Sequence, residues 1–224
     1  MLRTGTAVLA LVVAVILLAP PALAEKINCA NEFRSGKLYF STAMKEGDWY
    51  LYYKAVDRFA LAVETCPEKA EYRARYAMAL AQLGQVKLEE ERLTLPTPEE
   101  KEALVDSVLI LCGLAGAEFD SSMARDDSKS NLKFVRENRE HYWVHRYNEG
   151  IKRLKDEEYE EAILEFELSL AVDPGSTLRD TGDNLRNAKA YRQGAIAFIN
   201  LGNKTEAAAW VNRGLEEAPD DEKL

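Results

Sequence analysis

Apolar residues recur along this chain with a helical period. Tyr147, Gly150, Ile151 and Leu154 fall at i, i+3, i+4 and i+7, and after the polar Lys155-Asp156-Glu157 the pattern resumes at Ala162, Phe166 and Leu170. No alternating apolar and polar run is long enough to predict a strand. The pattern predicts pairs of short amphipathic helices. Beyond residue 24 the prolines stand at 67, 96, 98, 174 and 219, and three of them share one upstream spacing. Ala43, Ala55 and Pro67 are twelve and twelve residues apart, as are Gly150, Ala162 and Pro174, and Ala195, Ala207 and Pro219. Ala and Gly are common enough that a given proline should show this pattern about once in fifty trials. Three of five therefore mark an internal repeat.

Each conserved spacing has a physical task. Antiparallel helices approach closely only where side chains are small, which assigns Ala or Gly to the first two positions. Proline ends the second helix because it has no N–H to donate and disfavours helix in the residue before it. Phe59, Phe166 and Val211 are expected to fill the gaps between successive hairpins.

Tyr147-Asn148-Glu149-Gly150, Tyr159-Glu160-Glu161-Ala162 and Val172-Asp173-Pro174 together resemble the tetratricopeptide repeat, a helix–turn–helix unit of about 34 residues. The stretch from Tyr191 to Pro219 resembles it too, with Gly202 at the turn and Ala207-Ala208-Ala209 in the second helix. The N-terminal unit departs from it, since Gly47-Asp48 arrives three residues early and Trp49, Tyr50, Tyr52 and Tyr53 crowd its start. A partial unit begins at Ala70, with Ala77 and Gly84 at the family spacing, and breaks at Pro96. Pro98 to Phe119 reads as a helix, Asp120 to Ser130 as a polar loop, and Asn131 to Lys155 as a long helix.

The resemblance implies an all-α helix–turn–helix repeat solenoid with a divergent N-terminal part and long central helices. The expected organisation is a signal peptide at 1–24, degenerate N-terminal hairpins at 25–97, and central helices with a connecting loop at 98–142. Two repeat units follow at 143–219, with an insertion near 175–187, and then a short acidic tail at 220–224.

Arg3 precedes an apolar run of 13 residues from Ala7 to Ala19, followed by Pro20-Pro21 and Ala22-Leu23-Ala24. This order of positive charge, apolar run and small residues predicts a secretory signal cleaved after Ala24. The run is shorter than the roughly 20 residues that span a bilayer as a helix. The expected location is periplasmic or secreted, with an uncleaved N-terminal anchor as the alternative and membrane contact only through that segment. Export favours disulfides. If residues 30–65 form two antiparallel helices, the start of the first lies beside the end of the second and Cys29 can meet Cys66; two unpaired structural cysteines are the alternative. Cys112, within an apolar helical stretch, reads as a buried free thiol.

With 29 Lys and Arg against 38 Asp and Glu, the net charge is −9, and no basic run stands out. That argues against nucleic acid as a partner. His141 and His145 share a helix face, but no third ligand is marked, so no metal site is expected and no cofactor is called for. The acidic runs read as solvated helix faces rather than acid/base pairs, and no enzyme activity is expected.

In the family resembled, the first helices of each unit line a concave groove that takes a peptide or a partner's helix. The matching positions are Val144, Tyr147, Ile151, Leu154 and Lys155 in one unit, and Lys189, Arg192, Ile196, Ile199 and Asn200 in the next. Apolar residues beside Lys155, Lys189 and Arg192 suit a peptide with an acidic group. Some family members clamp a C-terminal carboxylate with Lys and Asn, but Ile151 and Ile196 stand where Asn is expected, which argues against that clamp. The expected function is an exported scaffold or assembly factor of the cell envelope. The alternatives are a small-ligand or glycan binder with its pocket between the divergent N-terminal unit and the Pro98–Phe119 helix, and a self-associating repeat protein whose partner is a second copy.

Overall fold

The computed structural model describes residues 28–91, 97–174, 177–178 and 186–219. Within them the chain is all helical, as four successive pairs. The first pair is α1 (Cys29–Glu46) and α2 (Trp49–Thr65), and the second is α3 (Ala70–Glu91) and α4 (Pro98–Arg125). The third is α5 (Lys129–Lys155) and α6 (Tyr159–Val172), and the fourth is α7 (Arg186–Asn200) and α8 (Lys204–Glu217). Each pair packs on the next, α2 against α3, α4 against α6, and α6 against α7. This is an all-α, tetratricopeptide-like helical-hairpin array. The segments at 1–24 and 220–224, and most of the insertion near 175–187, lie outside the described residues.

Local chemistry places the helix ends. Asn28 accepts from the Ala30 and Asn31 amides to start α1, and Asp48 accepts from Tyr50 N to start α2. Between them Gly47 closes α1 at φ +69°, a left-handed conformation that costs glycine little. Thr97 and Glu100 form a reciprocal capping box ahead of α4, with Pro98 in its first turn.

Cys29 and Cys66 are bonded, with Cα atoms 6.1 Å apart, tying the start of α1 to the end of α2. Cys112 is free and buried, and burial pushes its thiol up to about 11.

Two expectations at the helix ends are corrected. The polar stretch 120–130 is mostly helix: α4 runs on to Arg125, and only Asp126–Ser128 separate it from α5. Two of its polar residues find partners on other helices or their ends. Ser122, fully buried, donates to Ala70 O at 2.9 Å, and Asp120 accepts from Arg139 at 2.6 Å. The partial unit from Ala70 likewise has no turn as far as Glu91. Residues 70–91 form one helix, and the arm that pairs with it is α4.

The close approaches shift as well. A Cβ on Gly150 would lie 2.6 Å from Phe166, as the repeat spacing predicts. In the first pair, however, it is Gly36, two turns before Ala43, that lies against Phe59, at 2.7 Å from a Cβ. In the last pair it is Gly194 against Trp210, at 2.1 Å, so Trp210 rather than Val211 fills the gap. Ala43 and Ala195 are nonetheless buried beside these points. Gly150→Ala is expected to lower stability by about 1–3 kcal/mol through overpacking, although alanine is the better helix former by about 1 kcal/mol. Urea denaturation checks this, and an unchanged or raised midpoint would mean that the Phe166 ring gives way freely.

Candidate functional site

The first helices of the pairs form one row: α3 touches α5, and α5 touches α7. On α5, Val144, Tyr147, Ile151 and Leu154 are half-buried and pack onto the core shared with α6, α7 and α8. Tyr147 stacks on Trp143 with centroids 4.8 Å apart and meets Phe166 at 5.8 Å. These side chains are thus partly consumed by packing, while Lys155 is exposed at the end of the helix. On α7, Ile196 and Ile199 are 40% and 59% exposed, Asn200 is exposed, and Lys189 and Arg192 are half-buried. Burial pushes the Tyr147 phenol up, and the positive charges of Arg192 and Lys189 pull it down. The two helices therefore bring Tyr147, Lys189 and Arg192 into one electrostatic neighbourhood.

A cavity of about 440 Å³ lies further along the same row, between α1, α3 and α5; the sequence reading set a pocket against the Pro98–Phe119 helix instead, and among the described residues none of that helix lines this cavity. Its apolar wall includes Phe40, Phe59, Met78 and Tyr142, each less than a tenth exposed. Ser41, Gln82 and Asn138 add polar atoms, and Lys37, Arg75 and His141 add basic ones. Tyr142 donates toward Met78 O at 3.3 Å and Gln82 Oε1 at 3.1 Å, and its burial raises the phenol strongly. The Arg75 guanidinium lies 4.4 Å from the Phe134 centroid, and Lys37 lies 5.3 Å from that of Phe33. In the sequence the periodic run Phe33, Gly36, Phe40 and Ala43 marks the buried stripe of α1, of which Phe40 reaches the cavity wall, but the run alone does not locate the cavity.

A smaller cavity of about 290 Å³ is walled by the end of α3, by α5 and by Glu165 of α6. It mixes signs. Arg146 pairs with Glu165 at 3.2 Å, both buried, and His145 lies 3.5 Å from Glu89. Hydrogen bonding to His145 holds the Glu89 carboxyl below its ordinary range, against the effect of burial.

The histidines of the sequence reading have separate surroundings. His141 lines the larger cavity, and His145 contacts Gln85 at 3.1 Å. Among the described residues no group of three or more metal-ligating side chains comes together. Among the aromatic side chains, Tyr142 and Trp143 are core, whereas Trp49 and Tyr50 are 43% and 54% exposed.

Sequence reasoning missed a buried polar junction behind the row. Arg139, 1% exposed, donates to Asp173 at 3.1 Å, Thr177 at 2.7 Å, Gly116 O at 3.1 Å and Asp120 at 2.6 Å. Asp173 O accepts from Asn187 at 2.8 Å, and Asn187 accepts from Trp143 Nε1 at 2.9 Å. Three helices, α4, α5 and α7, and the segment after α6 are joined there through one chain of hydrogen bonds. Its signal in the sequence is an arginine on the buried stripe of α5, between Val135 and Tyr142.

No known family model matches the chain, and no curated protein matches it. Among solved structures, two crystal structures of MamA are similar to it at 18% and 15% identity, each with a TM-score of 0.30. They cover 90% and 88% of this chain and 84% and 94% of their own. The TPR2AB domain of yeast Sti1 in complex with pHSP90 is similar at 13% identity and a TM-score of 0.29, over 85% of this chain and 78% of that one. The class of the protein, an all-α helical-hairpin repeat array, rests on its own helix pairing.

Proposed function

We propose that this protein is an exported interaction scaffold or assembly factor of the cell envelope that holds a partner's peptide or helix against its row of first helices. The observation that carries the reading is the exposed Ile196 and Ile199 on the same helix as Lys189 and Arg192, whose charges reach Tyr147 on α5. Apolar surface flanked by positive charge, on a chain of net charge −9, suits a partner with both apolar and acidic residues. Export is supported by the order of residues 1–24 and by the Cys29–Cys66 bond, since disulfides persist in oxidising compartments.

The test is crosslinking in cells, then affinity capture from envelope fractions with wild type and with Lys189→Glu/Arg192→Glu. Wild type is expected to bring down one near-stoichiometric protein, and the double variant to capture at least about tenfold less of it with unchanged helicity. Equal capture by the variant would move the contact off α7. A captured second copy of this chain would replace the scaffold reading with self-association. A second reading, that of a small-ligand binder, is favoured by the cavity between α1, α3 and α5.

A further inference from the structure

We infer that the cavity between α1, α3 and α5 binds a small amphipathic anion, an apolar body carrying one carboxylate-like head. Its volume of about 440 Å³ falls within the roughly 300–1,000 Å³ of small-molecule sites. The apolar body is called for by the wall of Phe40, Phe59, Met78 and Tyr142.

The sign of the head follows from the charges. Lys37 and Arg75 line the cavity and among the described residues no Asp or Glu does, on a chain with 38 acidic residues against 29 basic ones. Arg75 is held in place at the wall, its guanidinium lying 4.4 Å from the Phe134 centroid. An anionic oxygen is the acceptor that a guanidinium takes best.

The polar side chains of the wall argue for a free amphiphile over a peptide. Ser41 donates to Leu38 O at 2.9 Å, Gln82 accepts from Tyr142 at 3.1 Å, and Asn138 donates to Phe134 O at 2.8 Å. A peptide backbone would bring N–H and C=O groups against the apolar wall of Phe40, Phe59 and Met78, whereas a hydrocarbon body brings none.

Calorimetric titration of the mature protein with sodium decanoate, and with 1-decanol as its neutral counterpart, tests this. Decanoate is expected to bind one per chain and decanol at least about tenfold more weakly, since a charge-assisted hydrogen bond contributes about that factor. Arg75→Gln should bring decanoate down to the level of decanol. Ser41→Trp, placed at an exposed position on the rim, should abolish both while helicity is retained. Equal binding of decanoate and decanol would overturn the anionic head, and decanoate binding unaffected by Ser41→Trp would overturn the location. No decanoate binding, with Ser41→Trp blocking capture of a protein partner, would assign the cavity to a peptide instead. Because the capture experiment with the α7 variant reads a different helix, the two readings fail separately.

Discussion

Arg139→Ala is expected to lower the unfolding free energy by about 3–5 kcal/mol, the cost of leaving a buried carboxylate without its cation. For a chain of this size that is a fall in Tm on the order of 10 °C. Asp173 is fully buried and would retain only Thr177 and the amide of Leu178 as donors, while Gly116 O would keep only the amide donor of its own helix. Asp120, 40% exposed, can turn to water, so its share of the loss is small. The junction is also tightly built around the backbone, since a Cβ on Gly116 would lie 2.6 Å from both Ala171 O and Pro174. Thermal unfolding followed by circular dichroism measures the loss, and a change below about 1 kcal/mol would show that the junction is held by packing alone. Arg139→Met combined with Asp173→Asn should lose less than the two single changes added together, because neither charge is then left unpaired.

The unit from Tyr147 to Pro174 was legible in the sequence because its determinants are local. Gly150, Ala162 and Phe166 sit within one hairpin, and their spacing alone sets which residues meet. Where the same spacing was carried to the chain's ends, it pointed two turns astray in the first pair and one residue astray in the last. Gly36, not Ala43, takes the ring of Phe59, and Gly194 takes the ring of Trp210, the larger neighbour of Val211. The pairing of α3 with α4 was hidden because it bridges Pro96 and Pro98, which read as a boundary. The polar run at 120–125 looked like a loop because its partners, Ala70 O and Arg139, are distant in sequence. The candidate site divides in the same way. Groove positions on α5 and α7 could be assigned by matching units, and α5 proved to share those side chains with its own core. The cavity could not be assigned, since it needs α1, α3 and α5 at their true offsets.

Reducing the Cys29–Cys66 bond is expected to remove about 2–4 kcal/mol, the usual range for a bridge closing a loop of this length, here 37 residues of separation. The loss should be local rather than global. In a repeat array each hairpin is held by its neighbours, and the α1–α2 pair has a described neighbour on one side only, through α2 against α3. Without the bridge, Phe33 still meets Phe59 at 5.7 Å and stacks on Tyr72 at 4.2 Å, but nothing covalent holds the first turn of α1 to the end of α2. Amide hydrogen exchange with and without reductant should therefore show protection falling across residues 29–65 and persisting in α5 to α8. Uniform loss, or none, would sink this account. Maleimide labelling of the reduced, folded chain should modify two thiols rather than three, because Cys112 is buried and its thiolate is disfavoured. Since α1 carries Lys37, Phe40 and Ser41 of the cavity wall, the same reduction should weaken decanoate binding before it unfolds the array. The integrity of the cavity then depends on an oxidising compartment, which ties the site to the proposed export of the chain.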